Sequence, residues 1–291
     1  MKLRTMLGVL LMTALLALGS ATARDRTNNS GEYLALGDSA VFPFLQEAGF
    51  EWKNATNFVG YADWTGLALG LTMVNASCPG ETTGSYLSFY ALDNGCRYYR
   101  FLFPLHVVYD PFESTQSHFA TGFLLEKGRY VALVTIQLGA NDLSLLEQKC
   151  KGDPQCIEDG APEVFAKAEA NMQTALAQLR DTGYSGPIVI VNYYSIDYNN
   201  KFVTKLIVGL NQAITAPAPA YGAVVADVFS AFKAAAMTRA GGDTCRAGLL
   251  NSHNPQTDQW SCDIHASQSG HKLIAQTIEG VYPPLAGKAY K

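Results

Sequence analysis

The residues best equipped for chemistry sit in four short polar clusters: Gly37-Asp38-Ser39-Ala40, Asn75-Ala76-Ser77-Cys78-Pro79-Gly80, Gly139-Ala140-Asn141-Asp142 and Asp263-Ile264-His265. A serine hydroxyl is a weak nucleophile and needs a neighbouring base. His265 is the natural candidate, because imidazole titrates near neutrality. A carboxylate such as Asp263 would hold the ring and stabilise the imidazolium. Attack of Ser39 on an ester creates an oxyanion, and that charge needs preorganised donors. The backbone N–H groups of Ser39 and Gly80 and the side-chain amide of Asn141 could supply three.

Each cluster alone has an ordinary explanation. Gly-Asp-Ser makes a common turn. Gly-Ala-Asn-Asp can simply cap a helix, and a single histidine can lie on the surface. His106, His118, His253 and His271 compete for the role of base, but none has an equally suggestive setting. Ser39 does not lie in G-x-S-x-G, so the nucleophile elbow of α/β-hydrolases is absent.

The elements that must position these clusters alternate between short apolar runs and helical patterns. Strands are expected at Tyr33–Leu36, Leu71–Val74, Tyr130–Leu138, Pro187–Val191 and Ala223–Val228. Helices are expected at Trp64–Leu69, Glu163–Leu179, Lys201–Ile214 and Gln268–Ile278. Wholly apolar strands alternating with helices imply an α/β fold, a parallel sheet covered on both faces. Ligands of such a sheet bind beyond the carboxyl ends of its strands, which is where these clusters fall. The aromatic stretch from Arg97 to Lys127 fits the alternation least and reads as an insertion over one end of the sheet, a candidate lid. Its Tyr98, Tyr99, Phe101, Phe103, Tyr109 and Phe112 either line an acyl pocket or pack a loop. Tyr193 and Tyr194 read as core.

The 291 residues carry 21 basic against 25 acidic side chains, a net charge of −4. A polyanion binder shows a basic excess, so nucleic acid is not an expected partner. Lys2 and Arg4, the uncharged apolar run Leu7–Leu18 and the small residues Ala21-Thr22-Ala23 form a secretory signal peptide, residues 1–23. That run is shorter than the ~20 residues a bilayer requires, and no later segment is a membrane span. Residues 24–291 then form a single domain, secreted to the extracellular space and expected to be a monomer. In that oxidising compartment six cysteines are read as disulfides. They fall into sequential pairs: Cys78–Cys96, Cys150–Cys156 and Cys245–Cys262. No zinc-type spacing with a nearby histidine occurs, so no metal and no cofactor is expected.

Taken in order, the clusters resemble the SGNH/GDSL hydrolase family. YLALGDS, Tyr33 to Ser39, is similar to its first block, with Ser39 in the nucleophile's place. Gly80 in NASCPGETT and Asn141 in LGAND match the blocks that supply the two further oxyanion donors. DIHASQSGH, Asp263 to His271, is similar to the block with the histidine, His265. The likeness spans about residues 31 to 280 and is nearest to secreted actinomycete-type lipases and esterases with three disulfides. It implies a flavodoxin-like three-layer α/β/α sandwich around a five-stranded parallel sheet, with residues 24–291 as one SGNH hydrolase domain. It implies metal-free ester hydrolysis through an acyl-enzyme. Ala266 stands where the family usually has proline, and Cys262 where its acid often lies. Two ways of orienting His265 therefore stay open: the Asp263 carboxylate, or a backbone carbonyl such as that of Cys262. Lipids or small acyl esters are the expected substrates. O-acetylated carbohydrate on the same machinery, or a secreted binding protein without catalysis, are the rival readings.

Overall fold

The computed structural model describes residues 31–44, 57–102, 108–109, 114–254, 259–260 and 262–282. The expected signal peptide, residues 1–23, lies outside the described residues, as do Phe103, His106 and Phe112.

Five strands form the sheet: β1 (Glu32–Gly37), β2 (Thr72–Asn75), β3 (Val131–Gln137), β4 (Ile188–Val191) and β5 (Val224–Ala226), in the order β2-β1-β3-β4-β5. All four pairings are parallel. Every residue of β3 and β4 is buried, as a sheet covered on both faces requires.

Alternate side chains of the strands enter two cores. Leu34, Leu36, Val134, Ile136, Ile188 and Ile190 pack against one helical layer. That layer contains α2 (Thr83–Leu87), α4 (Gln116–Lys127), α6 (Pro154–Asp181) and α7 (Lys201–Thr215). Tyr33, Ala35, Leu133, Val189 and Val191 face the other, formed by α1 (Tyr61–Leu69), α8 (Val228–Ala240) and α9 (Gln268–Val281). The result is the expected flavodoxin-like α/β/α sandwich with a five-stranded parallel sheet.

Two helices link this frame to the polar clusters. The short α3 (Cys96–Leu102) follows α2 and the loop after it, and α5 (Ala140–Cys150) leaves the end of β3. All three expected disulfides form, with Cα separations of 5.5, 5.6 and 6.0 Å in chain order. Cys150–Cys156 staples the end of α5 to the first turn of α6, where the Asp153 carboxylate caps the N–H groups of Gln155 and Cys156.

Two expectations change. Helix α6 begins at Pro154 rather than Glu163, running through Pro162. A proline reads as a break, but Ile157 and Ala161 ahead of it are buried against Leu146 and Cys150 and hold the extra turns in place. The stretch Arg97–Lys127 is not wholly an insertion either. Within it α4 is a member of the helical layer, with Ala120 and Leu124 in the core. Its buried face begins with the polar Gln116 and Ser117, so an apolar period is hard to see.

Candidate active site

Gly37 ends β1 with φ +146°, and a Cβ there would run into the Gln137 carbonyl. Only glycine permits this approach of β1 to β3, and the chain turns at once. The carbonyl of Asp38 accepts the N–H of Val41 and Phe42, both at 3.2 Å, and that of Ser39 accepts Phe44 at 3.1 Å. Ser39 is thereby presented beyond the carboxyl end of the sheet, its own N–H unbonded among the described residues.

His265 comes from the far end of the chain, in the loop ahead of α9. The Asn251 N–H donates to the His265 carbonyl at 2.9 Å, and Asp263 N–H to the Asn251 carbonyl at 2.8 Å. Tyr194 Oη donates to the Ile264 carbonyl at 2.8 Å. The Cys245–Cys262 disulfide anchors the same loop. Buried Ala266 bridges antiparallel to Leu250, and Ser267 caps α9 by accepting from Gly270 N–H at 3.2 Å. So held, His265 Nε2 lies 3.0 Å from Ser39 Oγ and Nδ1 lies 2.7 Å from Asp263 Oδ1. Both contacts are of hydrogen-bonding length. With Nδ1–H donated to the carboxylate, Nε2 is left to accept the serine proton.

The donors lie on a third and a fourth segment. Gly80 has φ +85°, and a Cβ would meet the Asn94 carbonyl. Its N–H has no acceptor among the described residues, while its carbonyl accepts Asn94 N–H at 2.7 Å. Asn141, in the first turn of α5, donates from Nδ2 to the Glu81 carbonyl at 3.0 Å and faces Asp38 Oδ2 at 3.4 Å. Asp142 ties the two segments together by accepting Thr83 N–H at 2.9 Å and Thr83 Oγ1–H at 2.6 Å. Burial raises its carboxyl above the usual range, and the two Thr83 bonds work against that shift.

Sequence reasoning missed several supporting residues. Asn94 Nδ2 donates to Asn141 Oδ1 at 2.9 Å. Buried Gln116 accepts Gly37 N–H at 2.6 Å and donates to the Gly37 carbonyl at 3.0 Å and to Glu81 Oε2 at 3.1 Å. Tyr193 and Tyr194, read as core, are buried but use their hydroxyls at the site. Their place just after the apolar run of β4, where ligands of such sheets bind, was the available signal. Asp38 is 1% exposed, and burial raises its carboxyl to about 6 against the opposing effects of Tyr193, the Ala40 N–H and His265.

The competing histidines lie elsewhere. His118 is exposed on α4, beside an open groove of about 580 Å³ that contains none of the four clusters. His271 is buried in α9, where its Nδ1 accepts Tyr61 N–H at 3.2 Å. The His253 side chain lies outside the described residues. Cys78 and Cys96, which approach Glu81, are bonded to each other and offer no thiolate to a metal.

A cavity of about 300 Å³ opens beside Ser39 and His265. Leu143 of α5, Ile157 of α6 and Phe202, Val203, Leu206 and Ile207 of α7 make its wall mainly apolar. Tyr98 and Tyr99 are not among its lining residues; Tyr99 packs on Phe44, which packs on the His265 ring with centroids 5.0 Å apart.

The fold recurs in solved structures. A phospholipase A1 from Streptomyces albidoflavus matches with a TM-score of 0.58 at 14% identity, over 86% of this chain and 99% of that one. An extracellular lipase from Streptomyces rimosus matches with 0.56, also at 14% identity and over 86% and 99%. At such identity the likeness is one of fold. No curated protein matches the chain. The model of one family does, through residues 35–273, from the middle of β1 into α9 and across all four clusters; the chain belongs to the GDSL-like lipase/acylhydrolase family.

Proposed function

We propose that this hydrolase is a secreted serine esterase or lipase that cleaves carboxylic esters through an acyl-enzyme on Ser39. The observation that carries the reading is the relay from Ser39 Oγ to His265 Nε2 to Asp263 Oδ1, at 3.0 and 2.7 Å. His265 takes the serine proton as the oxygen attacks the ester carbon, and later returns it to the departing alcohol. The Asp263 carboxylate holds the ring in the required tautomer and stabilises the imidazolium. Its distance from Nδ1 favours it over the Cys262 carbonyl as the orienting group. The N–H groups of Ser39 and Gly80 and Asn141 Nδ2 receive the oxyanion. Water, activated by His265 in turn, then releases the acid.

The apolar cavity supports an acyl chain longer than acetyl. Each buried methylene is worth about 0.8 kcal/mol, roughly fourfold in kcat/KM, until the cavity is full. Three disulfides fit an extracellular destination. The test is a fluorophosphonate probe followed by peptide mapping, together with p-nitrophenyl esters of increasing chain length. Label on Ser39, and octanoate cleaved well ahead of acetate, are expected. Label on another serine would overturn the nucleophile, and acetate as the sole substrate would favour a deacetylase.

A further inference from the structure

Tyr193 does more than fill space. Its hydroxyl donates to Asp38 Oδ2 at 2.6 Å. Its backbone is clamped from α7, where Asn211 Oδ1 accepts Tyr193 N–H at 2.8 Å and Asn211 Nδ2 donates to the Tyr193 carbonyl at 2.7 Å. The hydroxyl is therefore held at a set place relative to the sheet. The other Asp38 oxygen accepts Ala40 N–H at 2.9 Å, which shapes the turn that carries Ser39.

Asn141 Nδ2 has two protons. One goes to the Glu81 carbonyl at 3.0 Å. The other faces Asp38 Oδ2 at 3.4 Å, which is long for a hydrogen bond to a carboxylate. This second proton is the one available to an oxyanion. A buried carboxylate with idle lone pairs would draw it into a short, charge-assisted bond. The Tyr193 hydroxyl already gives that oxygen one short donor at 2.6 Å, which lowers its pull on a second.

We propose that Tyr193 is a positioning residue: by satisfying Asp38 Oδ2 it leaves the second Asn141 N–H for the oxyanion. The proposal rests on the reading of Asn141 as an oxyanion donor. The competition requires an ionised Asp38. Its carboxyl, raised to about 6 by burial, is charged at pH 8, in the company of His265, Asp142, Tyr61 and Tyr194.

The experiment is a double-mutant cycle at pH 8 on the full chain, using the best p-nitrophenyl ester. Tyr193→Phe keeps the ring on the cavity wall, so KM should stay within about twofold while kcat falls roughly tenfold. In an Asn141→Ala background the same change should alter kcat less than about twofold, because the donor it serves is gone. A tenfold loss in both backgrounds, or a loss confined to KM, would overturn the role. An Asn141→Ala variant of full activity would instead remove the oxyanion reading, and this proposal with it. Thermal melts identify the folded variants. If Tyr193→Phe does not fold, Tyr193→Leu goes through the same cycle and is read on kcat alone, because it also takes the ring from the cavity wall. A roughly tenfold fall in kcat that vanishes in the Asn141→Ala background supports the role, and an equal fall in both backgrounds overturns it.

Discussion

Asn94 is bonded to Asn141 and to Gly80 at once: its Nδ2 donates to Asn141 Oδ1 at 2.9 Å, and its N–H donates at 2.7 Å to the carbonyl of Gly80, the neighbouring candidate donor. Gln148 Nε2 in turn donates to Asn94 Oδ1 at 2.9 Å. These partners leave each amide one orientation, with Asn141 Nδ2 turned toward the Glu81 carbonyl and Asp38 Oδ2. The Cys78–Cys96 disulfide holds the loop that bears Asn94.

The first prediction follows from this arrangement. Asn141→Ala should lower kcat by roughly 10²–10³-fold with little change in KM, the usual consequence of one lost oxyanion donor. Asn94→Ala keeps that donor but frees its orientation, and should lower kcat about tenfold. Steady-state kinetics checks both. An Asn94→Ala loss as large as that of Asn141→Ala would mean that Asn94 itself meets the substrate.

The second concerns Asp263. Asp263→Asn removes the charge beside His265 Nδ1 and can stabilise the wrong tautomer, so kcat should fall by up to ~10⁴-fold with the fold intact. Ring orientation by the Cys262 carbonyl would survive this change and limit the loss to less than about tenfold. The kcat of a variant whose melting curve matches wild type decides between them.

Strands β1, β3 and β4 were legible because nearly every residue in them is apolar, and a strand buried on both faces has no other way to read. Helices α5 and α8 were not. Helix α5 opens with the cluster GAND, which reads as a site or a cap before it reads as a helix. Helix α8 is rich in alanine and buries only Val228, Phe232 and Ala236, so its apolar stripe is thin. At the site, Ser39, Gly80 and Asn141 stood out by residue type and position after a strand, and His265 by its residue type beside Asp263. Asn94, Gln116 and Tyr193 did not, because the contacts that tie them to the site reach far along the chain, to Asn141, Gly37 and Asp38 respectively. Such pairings exist only once the sheet has formed.

The third prediction concerns acid stability. His271 is buried and uncharged, with burial and the nearby His265 lowering its pKa to about 3. Its value in the unfolded chain is near 6.5. Between these limits the unfolded chain binds the extra proton and the native one does not, so stability is full above 6.5 and is lost as pH falls toward 3. The largest loss from this group is about 5 kcal/mol. His271→Gln keeps an acceptor for Tyr61 N–H and cannot ionise. Its melting temperature should therefore fall less than that of wild type between pH 7 and pH 4. Parallel falls would place the acid sensitivity elsewhere.

The last prediction carries the opposite sign. The native Asp38 carboxyl titrates at about 6, against an ordinary value near 3.8. Between those values the native state holds a proton that the unfolded chain has released. Stability from this group is thus full below 3.8, declines as pH rises, and levels off above 6. The ionised carboxylate costs the native state about 3 kcal/mol at pH 8. Asp38→Asn removes that cost while leaving an oxygen for the Ala40 N–H. Relative to wild type, its stability should therefore rise between pH 4 and pH 8 by up to about 3 kcal/mol, several degrees in Tm for a chain of this size. Activity should move the other way. The amide weakens the anchor of the Ser39 turn and withdraws the charge that helps stabilise the His265 imidazolium, so kcat should fall. A charged group kept in the fold at a cost in stability is expected where it serves the site. Melts of both proteins at pH 4 and pH 8, with kcat measured on the same samples, decide the matter. A stability difference that does not change with pH would show that Asp38 titrates as an ordinary carboxyl and carries no such cost.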